Sequence, residues 1–264
     1  MATPDPVILC RQTRFGYDRS RPVVDGVDAG LMPGRLTALV GPNAAGKTTL
    51  LRLMLGLLRP WSGSVQLGGL EVTSLSPRIR SRWVSYVPQK AGVRFAFTAR
   101  QVIAMGAHAQ GAAGEEAIEQ AIVELALAEL ADRVYNELSG GQQQRVMIAR
   151  AQVQSAGGGR VMLLDEPGSH LDLHHRHSTM QRLRTLSARG LAVLVVLHDL
   201  DLAMRYADDA WLMDAGRLVA AGAWDRVLTP QLLEPVYGLG LQALDAGGAR
   251  PVLTVASPVR DTMQ

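Results

Sequence analysis

Two stretches of the chain, Val161 to Leu164 and Leu191 to Leu197, are apolar without a break. A run without alternation predicts a strand buried on both faces, as in a parallel sheet covered by helices. Elsewhere the period changes. Ile118, Ile122, Leu125 and Leu130 fall at near-helical spacing and predict a helix over Glu115 to Ala131. Further helices are predicted over Gln142 to Gln154, Thr179 to Arg189 and about Lys47 to Gly56. Val7 to Leu9, Leu36 to Val40, Val65 to Leu67 and Val84 to Val87 are strand-like, and Arg19 to Asp28 is rich in turn formers. The order therefore runs from mixed strands into a parallel α/β core with a helical insertion at about 92–156. After about residue 240 the pattern fades into a polar, Gly/Ala-rich tail, so 1–240 forms the domain and 241–264 a C-terminal tail.

Composition narrows the partners. With 47% hydrophobic residues the 264-residue chain has ample material for a core. Its 27 basic and 24 acidic residues leave +3, too little to argue for nucleic acid or an anionic membrane as the main partner. Cys10 is the single cysteine, which precludes an internal disulfide and fits a reducing compartment. No segment approaches the roughly 18 apolar residues of a membrane helix. The first ten residues lack the basic start and apolar stretch of a secretory signal, so a cytoplasmic location is expected. Only Lys47 and Lys90 are lysines, against 25 arginines, so a lysine is a choice with a reason.

Lys47 has such a reason. The strand-like Leu36 to Val40 runs into Gly41-Pro42-Asn43-Ala44-Ala45-Gly46-Lys47-Thr48, which satisfies the phosphate-loop pattern with a helix after it. Backbone N–H groups and the helix N-terminus can cradle a β-phosphate. Lys47 would neutralise the β/γ oxygens and the Thr48 hydroxyl would ligate Mg²⁺. Val161-Met-Leu-Leu-Asp165-Glu166 then places two acids at the carboxyl edge of the sheet, where ligands bind in such folds. Asp165 would hold Mg²⁺, and Glu166 would polarise the attacking water. A lone strand ending in two acids is commonplace; beside a phosphate loop it completes a site. Leu138-Ser139-Gly140-Gly141-Gln142 opens a helix with a hydroxyl and bare N–H groups. Ser139 serves as an ordinary helix cap, yet the segment is also a second phosphate grip. A second grip needs a second nucleotide, which a two-fold dimer supplies.

These motifs together resemble those of ABC-type ATPases, over residues 5 to 240. The resemblance implies a P-loop NTPase fold of class α/β: a parallel-sheet core, an N-terminal antiparallel β subdomain and a helical signature subdomain. It also implies ATP and Mg²⁺ as cofactors. Nucleotide contacts fall on Tyr17, stacking on adenine, and on Gly41, Pro42, Asn43, Ala44, Ala45, Gly46, Lys47, Thr48 and Thr49. Leu138, Ser139, Gly140, Gly141 and Gln142 match the signature that closes on the partner's nucleotide. Asp172, in Ser169-His170-Leu171-Asp172, matches the loop crossing the dimer interface. Gln89 and His198 match the family's glutamine at Mg²⁺ and its γ-phosphate histidine, so Glu166, His198 and Gln89 form the catalytic set. Thr48, Gln89 and Asp165 form the metal set.

Phe97 to Gly106, Leu75 to Arg78, His198 to Asp208, Leu228-Thr-Pro-Gln and Val236-Tyr-Gly resemble importers of iron-siderophore, haem and cobalamin. That implies a homodimer at the cytoplasmic face of the inner membrane, peripheral to it. Polytopic permease subunits would sit in a groove at residues 75–110, with a periplasmic or extracellular substrate-binding protein acting indirectly. A soluble ABC ATPase usually carries two cassettes or long coiled coils, and an exporter normally carries its own membrane helices; neither feature is here. Two residues depart from the family pattern: Ala44 stands where glycine is frequent, a cost only if φ there is positive, and Gly168 stands where threonine is usual. His170, His174, His175 and His177 could be read as a metal cluster, but His170 belongs to the interface loop and the others, on consecutive turns of a helix start, face different ways. Arg78, Arg80 and Arg82 lack the interleaved aromatics of a nucleic-acid surface.

Overall fold

The unalternating runs become neighbours in one sheet. A computed structural model describes residues 4–89, 92, 95–108, 114–169, 171–244, 247 and 250–258. Its strands are β1 (Ile8–Phe15), β2 (Val24–Leu31), β3 (Leu36–Val40), β4 (Ser62–Leu67), β5 (Leu70–Glu71), β6 (Val84–Val87), β7 (Val161–Asp165), β8 (Ala192–Val196), β9 (Asp209–Asp214), β10 (Arg217–Ala223), β11 (Leu239–Leu244) and β12 (Val252–Pro258). Its helices are α1 (Lys47–Met54), α2 (Pro77–Trp83), α3 (Ala99–His108), α4 (Glu115–Glu124), α5 (Gly140–Ala156), α6 (Leu173–Ala188), α7 (Leu200–Tyr206), α8 (Trp224–Val227) and α9 (Pro230–Tyr237).

The central sheet has the order β10-β9-β3-β8-β7-β6, parallel except for β10. Alternate residues of each core strand enter opposite layers. Ala38, Val40, Met162, Leu164, Val193 and Val195 pack with Ile103, Ile122, Ile148 and Leu183 of the helices. Leu39, Val161, Leu163, Leu194 and Val196 pack with Leu50, Leu51 and Met54 of α1 and with Ile8, Val24 and Val65 of the antiparallel sheet β2-β1-β4-β5. Both faces are apolar, so no polar alternation survives in the sequence. Each fully buried leucine contributes about 1.5–3 kcal/mol.

Three local readings differ. Within the turn-rich Arg19 to Asp28, only the Asp18–Arg21 bridge closes a turn; β2 starts at Val24, whose side chain is buried with that of Val27. Core packing overrides the local turn propensity. The helix expected to Ala131 stops at Glu124, because Ala126 adopts φ 50° and the chain leaves through a short 3₁₀ turn at Ala128–Leu130. The segment read as a polar, Gly/Ala-rich tail carries the antiparallel pair β11-β12. Residues 259–264 of that tail, with Lys90 and His170, lie outside the described residues.

Candidate nucleotide site

Four adjacent strands deliver the site at their carboxyl ends. Gly41 follows β3, His198 lies just beyond β8, Asp165 ends β7 and Gln89 lies two residues past β6. Because β3, β8, β7 and β6 are consecutive in the sheet, residues far apart in sequence meet along one edge.

The phosphate loop is built so that only glycine fits at its two ends. Gly41 has φ 149°, and a Cβ there would come within 2.0 Å of the Met213 carbonyl oxygen. Gly46, the residue before α1, has φ 100°, and its Cβ would meet the Val23 oxygen at 2.4 Å. Ala44 also stands at positive φ, 62°, so the departure from glycine carries a real steric cost. Lys47 is buried inside the loop and donates from Nζ to the carbonyls of Gly41 and Pro42, each at 2.8 Å. Burial lowers its pKa, opposed by the nearby Glu166 and Asp165 carboxylates. A cavity of about 660 Å³ opens over Asn43 to Thr49 and reaches Glu166. Tyr17 is 61% exposed; its hydroxyl lies 3.4 Å from the Thr49 hydroxyl and accepts from Arg52 at 3.1 Å, which stations the ring beside α1.

Across the edge, Glu166 is held between two side chains. Gln89 Nε2 donates to Glu166 Oε2 at 2.5 Å, and His198 Nε2 lies 2.6 Å from Oε1. The three side chains expected to act in catalysis therefore converge. Glu166 sits at φ 50°, a strained conformation for a non-glycine, with its carbonyl accepting from Ser169 N and Oγ at 3.3 and 3.1 Å. It lines both the phosphate-loop cavity and a smaller one of about 160 Å³ shared with His198 and Gly168. At Gly168 a Cβ would find Arg176 Cγ at an ordinary 3.4 Å, so packing does not demand glycine there.

Asp165 is 3% exposed. Burial raises its pKa, while the Thr48 side chain, Arg52 and Lys47 pull the other way. Its Oδ1 is buried with no hydrogen-bond partner among the described residues. An orphaned carboxylate oxygen beside a threonine hydroxyl fits a hard divalent cation, which takes oxygen ligands and shares them with phosphates.

The signature lies elsewhere. Ser139 caps α5 in a reciprocal box: its Oγ accepts from Gln142 N at 3.3 Å, and its own N–H donates to Gln142 Oε1 at 3.0 Å. Ser139 to Gln142 line a cavity of about 480 Å³ together with Asp172 and His175, and that cavity shares no residue with the phosphate-loop cavity. Leu138 itself is buried. Asp172 caps α6, accepting from His175 N at 2.8 Å. Of the histidines, His175 Nδ1 lies 2.9 Å from Asp172, His174 stacks edge-on against His175, and His177 Nδ1 lies 2.8 Å from the Tyr206 hydroxyl.

The motifs did not point to Arg21, Pro22, Val23, Ala215 and Gly216, which also line the phosphate-loop cavity. Gly216 N donates to the Ala45 carbonyl at 3.1 Å, and Asp25 N to the Gly216 carbonyl at 2.8 Å. Ala215 and Gly216 both have positive φ and form the β9–β10 turn. Only the glycine signalled that turn, and nothing local placed it against the loop.

Holding a triphosphate on a helix N-terminus while a carboxylate stands ready across the sheet edge is the work of a P-loop ATPase. Residues 24–169 match the family described as ABC transporter, and the chain belongs to that family. It is 42% identical over 231 residues to the hemin import ATP-binding protein HmuV of Gloeobacter violaceus, covering 84% of this chain and 83% of that protein. Over 221 residues it is also 42% identical to the cobalamin import ATP-binding protein BtuD of Halobacterium salinarum, covering 81% of this chain and 55% of that one. Among solved structures it resembles the dimeric bacterial ABC transporter cassette MJ0796, with TM-score 0.73, 27% identity, and coverage of 82% of this chain and 98% of that one. The chain thus binds and hydrolyses ATP, coupled to transport through separate membrane subunits. No helix among the described residues is long and apolar enough to cross a membrane.

Proposed function

We propose that this chain energises an importer of a metal chelate, in the group that takes iron-siderophore complexes, haem or cobalamin. The observation that carries the reading is the 42% identity, over more than four-fifths of the chain, to proteins named for hemin and for cobalamin import. The catalytic unit is residues 1–240, with its helical part at about 92–156, and two copies work as a homodimer. The separation of the signature cavity from the phosphate-loop cavity supports that dimer, since a signature that serves a nucleotide must serve the partner's.

Within one composite site, loop amides from Gly41 to Thr49 receive the phosphates and Lys47 neutralises them. Tyr17 offers its exposed ring to the base. Glu166 accepts a proton from the attacking water, held in orientation by Gln89 and His198, and His198 contacts the γ-phosphate. Thr48, Asp165 and Gln89 would hold Mg²⁺, which would supply charge neutralisation for the phosphates. The partner's Ser139 to Gln142 would close the other side of the nucleotide, with Asp172 at the crossing loop. The permease would seat in the 75–110 region, where Phe95, Ile79 and Met105 expose apolar surface. The chain would then lie peripherally on the cytoplasmic face, with an extracytoplasmic binding protein delivering the cargo.

The test is to retrieve tagged Glu166→Gln protein from native membranes with ATP and identify what co-purifies. A polytopic permease is expected, and the complex reconstituted with its binding protein should hydrolyse ATP faster with one of the three chelates. Recovery of soluble partners alone would overturn the importer reading.

A further inference from the structure

The C-terminal hairpin, which the motifs leave unused, grips one short helix. α7 begins two residues after His198, and Asp199 caps its first turn by accepting from Leu202 N at 3.1 Å. The other end is capped from the tail. Arg250 donates from one guanidinium nitrogen to the carbonyls of Met204 at 2.6 Å and Ala207 at 2.7 Å. The same guanidinium lies over the Trp224 ring, 4.4 Å from its centroid. A second tie joins Leu253 N on β12 to Asp201 Oδ1 in the first turn of α7, at 3.2 Å.

Carbonyls at a helix C-terminus lack intrahelical partners, and a cation placed there satisfies them and opposes the dipole. A helix as short as Leu200–Tyr206 cannot hold itself in place; its position is set by what grips it. α6 also reaches the C-terminal end, where Arg184 donates to the Tyr206 carbonyl at 3.0 Å and His177 meets the Tyr206 hydroxyl. Among the hydrogen bonds of the described residues, the tail's ties bear on both ends of α7. His198 bridges β8 to that helix, so a shift of α7 moves the backbone carrying the imidazole that meets Glu166.

We propose that the C-terminal hairpin is a clamp on the site, with Arg250 a positioning residue that holds His198 against Glu166 through α7. The inference rests on the reading of His198 as a member of the catalytic set.

Steady-state ATP hydrolysis by the full-length chain tests it, using Arg250→Ala, Arg250→Lys and Asp201→Ala, each alone and combined with His198→Ala. Misplacing a reacting group by about 1 Å costs up to ~100-fold, so a loosened helix should lower kcat by about 5–10-fold in Arg250→Ala. KM for ATP should stay within about twofold, because the phosphate loop is untouched. Arg250→Lys keeps a donor for the carbonyls and should recover much of the loss, and Asp201→Ala should act in the same direction but less. In the His198→Ala background, Arg250→Ala should change kcat by less than about twofold, as coupled residues do. An unchanged kcat in Arg250→Ala, or the same fold-loss with and without His198, would overturn the clamp. A wild-type rate in His198→Ala alone would instead remove the role given to His198, so the two failures are told apart.

Discussion

His198 Nε2 stands 2.6 Å from Glu166 Oε1, although 32 positions separate the two residues in sequence. Gln89 takes the other oxygen, so the carboxylate is oriented from both sides before any water reaches it. That pre-orientation is what a general base requires, because geometry precedes proton affinity in deciding which group acts.

Glu166→Gln keeps the shape and removes the proposed base. Single-turnover hydrolysis should fall by at least ~100-fold, within the range general bases contribute, while the dissociation constant for ATP stays within about threefold. Turnover near the wild-type rate would show that another group takes the proton.

Ala44 holds a left-handed conformation that costs an L-residue about 1–2 kcal/mol. Ala44→Gly should therefore stabilise the protein by about 0.5–1 kcal/mol, the remainder being offset by the freer unfolded chain. Urea unfolding reads this as a higher midpoint at unchanged slope. A lower midpoint would mean that the alanine methyl makes packing contacts worth more than the strain.

Asp165 carries a cost that depends on pH. Burial raises its folded-state pKa above the unfolded value, so the folded state binds the proton more tightly. Its contribution to stability is then fully present below the unfolded pKa and is lost as pH rises through the folded one. Asp165→Asn removes the buried charge and should raise Tm at pH 7 in the absence of nucleotide and divalent cation. The gain over wild type should shrink as the pH is lowered toward about 4, near the unfolded carboxyl pKa. The same variant should lose hydrolysis. A Tm gain independent of pH would assign the effect to packing.

The proposed composite site is tested by dividing it between chains. Lys47→Ala and Gly141→Asp should each be inactive alone, one lacking the phosphate-loop cation and the other repelling the partner's nucleotide. In an equimolar mixture half the dimers are mixed and each mixed dimer has one intact site, so about a quarter of wild-type activity should return. A mixture that stays inactive would refute the shared site.

The chemistry was legible because it is local. A phosphate loop needs glycines at fixed offsets, a lysine and a following helix, and all fall within Gly41 to Thr48. The unalternating Val161 to Leu164 and Leu191 to Leu197 likewise announced strands covered on both sides, since burial of both faces leaves no room for polar alternation. Some of the site could not be read this way. The turn at Ala215 and Gly216 joins the phosphate-loop cavity only because β9 pairs with β3, and that pairing is a matter of long-range register. Arg250 lies in the segment read as a polar, Gly/Ala-rich tail; its partners are backbone carbonyls, which no side-chain pattern records. By itself the sequence marked the phosphate loop, the paired acids after Leu164 and the strands that carry them. Tertiary structure decided their meeting at Glu166, the strain at Ala44 and the hold of the tail on α7, because contacts across a sheet edge and to bare backbone depend on packing that no local pattern encodes.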